Sequence, residues 1–111
     1  MKTILIYFAA AFFEIAGSFA FWAWLRLDKS PLWSLLGVLF LVIFVVLLTK
    51  SQALYAGRAF AAYGGIYIIS SLVWLMAVER TSPDRWDIIG TVFCITGAAI
   101  ILFGPRDPAL I

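Results

Sequence analysis

Glu14 is the only charged side chain between Lys2 and Arg26, in a stretch that is otherwise uncharged and mostly apolar. A carboxyl group in such a stretch can hold a cation, exchange a proton, or hydrogen-bond a neighbouring helix. Placing it at mid-membrane costs roughly 3 kcal/mol on insertion scales, and ionisable groups kept there mark ion pathways or proton relays. Gluing helices together is the structural alternative, but a neutral amide or hydroxyl would do that at lower insertion cost. Binding and exchange are therefore the chemistry to test first.

Other groups suited to that chemistry recur at helical spacing. Gly17 and Ser18 share a stripe with Glu14, together with Tyr7, Ala10, Ala11 and Phe21, while Phe8, Phe12 and Phe19 fall on the far side. Further along, Phe60, Tyr63, Gly64, Tyr67, Ser70, Ser71 and Trp74 fall on one broad face. Such an aromatic stripe is also what packing produces. Two phenols and two serines at mid-membrane, however, suit a lined cavity, because buried phenols need hydrogen-bond partners. Glu14, Tyr63 and Tyr67 are accordingly the candidate proton- and substrate-binding groups. Gly17, Ser18, Phe60, Gly64, Gly65 and Trp74 are the candidate lining. Gly90, Gly97 and Gly104 recur every seven residues with Cys94 on the same seam, which marks a close helix contact, either between two copies of the chain or within one.

Several chemistries are disfavoured. The chain has no histidine and one cysteine, so metal-ligand spacing, a disulfide framework within one chain and Ser-His catalysis lack their parts. No cofactor is expected, and an enzyme is a poor first reading. The net charge of +2 is spread along the chain without a basic run, so no nucleic-acid footprint is expected.

The elements that must hold these residues follow from composition. With 111 residues, 65% of them hydrophobic, and a mean hydropathy of +1.07, the expected partner is the lipid bilayer. Runs of bilayer length cover 3–25, 32–49, 57–78 and 88–104. Lipid offers backbone groups no hydrogen-bond partners, so all four should be helices, and the expected fold is an all-α, integral-membrane four-helix bundle in a single domain, 1–111. Pro31 and Pro83 sit where helices begin, and Trp22, Trp24, Trp33, Trp74 and Trp86 lie near segment ends as an interfacial belt would place them. The first segment superficially resembles a cleaved signal peptide, but it carries Glu14 and runs on to Leu25, too long for a signal core, so it is expected to stay. Glu14 and Tyr67 enter from the same side and should lie at similar depth, about 15 Å from the surface.

Orientation is undecided. One side of the membrane would hold Lys2, Lys50, Arg58 and Arg106, the other Arg26, Lys29, Arg80 and Arg85. Such a tie permits insertion both ways and an antiparallel dimer of identical chains. If Arg58 lies within the third helix and snorkels, the balance tips weakly toward an outside N-terminus.

The stretches Phe13-Glu14-Ile15-Ala16-Gly17, Gly57-Arg58-Ala59-Phe60-Ala61-Ala62-Tyr63-Gly64-Gly65-Ile66-Tyr67 and Trp86-Asp87-Ile88-Ile89-Gly90 resemble the YnfA-like family of small bacterial inner-membrane proteins over almost the whole chain. More distantly, the first, third and fourth segments resemble the small multidrug resistance transporters, dimeric four-helix proteins that exchange protons for amphipathic cations through one acid per subunit. That likeness implies the essential acid at Glu14, its following glycine at Gly17, a substrate-lining position at Tyr63, a hinge glycine at Gly65 and dimer contacts at Gly90 and Gly97. Three positions depart from it: Phe60 stands where a Tyr steadies the acid, Tyr67 replaces a second hinge glycine, and Trp22 stands where a Lys is usual.

The reading is a proton-coupled transporter, exporting small cationic or amphipathic compounds as a multi-pass homodimer of the bacterial inner membrane. A passive pore for small cations and a non-transporting membrane partner protein are the alternatives.

Overall fold

The computed structural model describes residues 2–106 and contains four α-helices: α1 (Lys2–Arg26), α2 (Trp33–Leu48), α3 (Ala56–Ala77) and α4 (Arg85–Phe103). Among the described residues there is no strand. The all-α expectation holds, and the composition is that of a membrane helical bundle. The chain divides between Ser51 and Gln52 into two compact units, one made of α1 and α2 and the other of α3 and α4.

Several helix ends have a local cause. Leu32 cannot cap α2, but Ser30 does so from two residues earlier: its hydroxyl accepts from the Leu32 N–H at 3.1 Å, and its carbonyl accepts from the Trp33 N–H at 3.1 Å. Helices α1 and α3 end alike. Asp28 and Arg80 adopt left-handed backbone, φ 57° and 56°. The next N–H in each case, from Lys29 or Thr81, reaches back to the carbonyl of Ala23 or Leu75 at 3.0 Å. A Ser-Pro pair then redirects each chain into the following helix.

Helix α4 begins three residues earlier than the apolar run suggests. The Asp87 N–H donates to Asp84 Oδ1 at 2.9 Å, and the Asp84 N–H donates to Asp87 Oδ2 at 3.0 Å. This reciprocal capping satisfies two N–H groups that a helix start leaves open and puts negative charge at the positive end of the dipole.

Helices α1, α3 and α4 are long and apolar enough to cross a membrane, and α2 is the shorter apolar helix. Its 16 residues span about 24 Å at 1.5 Å per residue, less than the ~30 Å hydrocarbon core. The helix stops short of the expected 32–49 because Pro31-Leu32 and Thr49-Lys50 form turns. Arginines lie over aromatic rings near three helix ends, Arg26 on Trp22 at 4.7 Å, Arg85 on Trp86 at 4.8 Å and Arg58 on Tyr55 at 6.0 Å. Such pairs suit the polar edge of a bilayer. Arg58 does lie inside α3, in its first turn.

Candidate functional site

Glu14 occupies the middle of α1, twelve residues from Lys2 and twelve from Arg26. At the helical rise that is about 18 Å from either end. It is half-buried. Tyr7, Ala10 and Ala11, the preceding residues of its stripe, are fully buried; Gly17 is buried, Phe21 half-buried and Ser18 exposed. Of the three phenylalanines expected on the far side, Phe8 and Phe12 are exposed and Phe19 is half-buried.

Gly17 is taken up by contact with α2. A Cβ there would lie 3.0 Å from the Gly37 carbonyl oxygen, 3.0 Å from Leu41 Cγ and 3.1 Å from Phe40 Cβ. One turn earlier, the Phe13 and Phe40 rings meet edge to face at 5.2 Å. So Gly17 seats the neighbouring helix, and the carboxyl group one turn away flanks that seam. By composition α2, rich in leucine, valine, isoleucine and phenylalanine with only Gly37 and Ser34 inside it, has no polar feature and reads as wall, which gives Gly37 no role. Its signal is nonetheless present: a single glycine among bulky residues, in a helix interior where glycine costs about 1 kcal/mol relative to alanine.

In the second unit Tyr63 is buried and Tyr67 half-buried, with ring centroids 6.1 Å apart in an edge-on arrangement. Ser70, Ser71 and Trp74 continue that face half-buried, while Phe60 is exposed. Gly64 has open space where a side chain would go. Gly65 does not: a Cβ there would overlap the Ala98 methyl and sit 3.5 Å from the Cys94 carbonyl oxygen. Two residues on from Tyr63, Gly65 lies about 160° round the helix from it. Helix α4 is thus seated on the side of α3 away from the tyrosines.

The glycine heptad divides. Gly90 and Gly97 lie on α4, and a Cβ added at either would meet nothing within 4 Å among the described residues; the Cys94 side chain is exposed. Gly104 departs from the expected seam: it is the C-cap, with extended backbone (φ −59°, ψ 139°) and its N–H on the Ile100 carbonyl. The Arg106 guanidinium folds back onto the Ile101 carbonyl, placing a cation at the negative end of α4.

The family described as "Uncharacterised BCR, YnfA/UPF0060 family" matches residues 1–107. A UPF0060 membrane protein of Brucella anthropi is 58% identical over 102 residues, covering 92% of this chain and 96% of that protein. No solved structure matches. The chain belongs to the YnfA/UPF0060 family of membrane proteins.

Proposed function

We propose that this UPF0060-family membrane protein is a proton-coupled exporter of small cationic or amphipathic compounds, acting as a homodimer in the bacterial inner membrane. The observation that carries the reading is Glu14, the one charged side chain in the middle of a 25-residue apolar helix, half-buried and lying beside a glycine seam. A carboxylate at that depth accepts a proton or pairs with a cation, and each occupant excludes the other. Exclusive occupancy, combined with alternating access, is sufficient to couple outward movement of a cation to inward movement of a proton.

Within the second unit, Tyr63 and Tyr67 offer a chemistry of their own that suits such compounds. Paired rings on one face of α3 present π-surfaces to an organic cation, and their hydroxyls offer hydrogen bonds. The open face of α4 around Gly90 and Gly97 suits close approach of a second copy, since small residues let membrane helices pack backbone to backbone. Helix α2, the short one, serves as the fourth span, with the bilayer thinning locally or its ends snorkelling to make up the difference.

The test is proton release from detergent-solubilised protein on adding a panel of organic cations. Wild type is expected to release protons saturably for at least one cation, and Glu14→Gln for none, with insertion and helix content unchanged. Release that persists in Glu14→Gln defeats the reading. In liposomes, voltage-driven cation flux without proton counter-movement would instead favour a pore. Absence of any ligand effect, with tight co-purification of another membrane protein, would favour a partner role.

A further inference from the structure

We infer that Gly37 is a positioning residue for Glu14, acting through the backbone of α1; the inference rests on the proton-exchange reading of that carboxyl group. Helix α2 carries one glycine among leucine, valine, isoleucine and phenylalanine. A Cβ at Gly37 would stand 2.9 Å from the Gly17 carbonyl oxygen and 2.8 Å from Phe21 Cε2. Seen from the other helix, a Cβ at Gly17 would stand 3.0 Å from the Gly37 carbonyl oxygen. The carbonyl oxygen of each glycine therefore lies where a side chain on the other would go, and neither can take a methyl group unless its neighbours move.

Glu14 precedes Gly17 by one turn, about 4.5 Å along the axis and 60° round it. The residue before it, Phe13, rests on Phe40 at 5.2 Å. Two contacts with α2 thus bracket Glu14, one beside it and one a turn further on, and together they set how far α1 is rotated and how deep the carboxyl group sits. The influence is geometric. Between Trp33 and Leu48, α2 has no titratable side chain; on α1 the other titratable groups are Tyr7, two turns earlier on the same stripe, and Lys2 and Arg26 at the ends.

The experiment follows the Glu14 carboxyl group itself. Full-length protein carrying 13C-labelled glutamate is titrated in detergent, and the Glu14 carboxyl signal, assigned by its loss in Glu14→Gln, is compared in wild type, Gly37→Ala, Phe40→Leu and the control Val38→Ala, whose position is exposed. Gly37→Ala should change the proton affinity of the carboxyl group at least about threefold, with helix content retained. Phe40→Leu, which removes the ring under Phe13 without adding volume, should change it by a smaller factor, and Val38→Ala should leave it as in wild type. Adding Phe21→Ala to Gly37→Ala should not restore wild-type affinity, because the overlap with the Gly17 carbonyl remains. Wild-type affinity in folded Gly37→Ala, or in Phe40→Leu if Gly37→Ala does not fold, overturns the inference; so does full rescue by Phe21→Ala. Proton release evoked by the same panel of organic cations, tetraphenylphosphonium among them, is measured on the same samples and tests exchange separately. Its absence in wild type would sink the transport reading, whereas an unchanged carboxyl titration sinks the positioning role.

Discussion

Gly65 brings the backbone of α3 against the methyl group of Ala98 on α4, while its neighbour Gly64 faces open space. Adjacent glycines in one helix therefore have opposite tolerances. Gly65→Ala should destabilise the chain by about 1–3 kcal/mol through overpacking, whereas Gly64→Ala should be neutral or gain up to about 1 kcal/mol from helix propensity. Unfolding in mixed detergent micelles measures both. A hinge role for Gly65 without a packing role would instead leave stability unchanged and alter transport alone.

Asp84→Ala should cost about 1 kcal/mol, because it removes the acceptor for the Asp87 N–H. The expected signature is fraying of the first turn of α4, seen as faster amide exchange at residues 85–88 with the rest of the helix protected.

Gly90→Val and Gly97→Val probe the proposed dimer seam cleanly, since a Cβ added at either position meets nothing within 4 Å among the described residues. Each should leave insertion and helix content intact yet reduce cross-linked dimer and transport together. Undiminished cross-linking in both variants would place the contact elsewhere.

Glu14→Asp should keep cation-coupled proton release but with an altered pH optimum, because the shorter side chain withdraws the carboxyl group toward the α1 backbone. A loss as complete as that of Glu14→Gln would mean that reach, as well as charge, is required.

Counting Arg58, in the first turn of α3, with the flanking basic residues, the four-against-four division predicts comparable populations of C-terminal reporters on the two sides of the membrane; without it, three against four predicts a weak bias toward an outside N-terminus. Adding or removing one lysine in a loop should tip the balance. A single orientation, indifferent to such changes, would remove the dual-insertion idea.

Helix content and the lone carboxyl group were legible from the chain alone because lipid is a severe solvent. Backbone groups there must bond within the helix, and a charge there is too costly to be incidental. Helix ends were less legible: hydropathy does not register Asp84 and Asp87, whose capping extends α4 beyond its apolar run. Helix partners were least legible. Between apolar helices in lipid no hydrophobic effect selects a neighbour, so pairing turns on where small residues let two backbones meet, at distances of tenths of an ångström. Eight glycines offered such places. Only the tertiary structure assigned Gly17 to Gly37 and Gly65 to Ala98, left Gly90 and Gly97 open, and made Gly104 a cap.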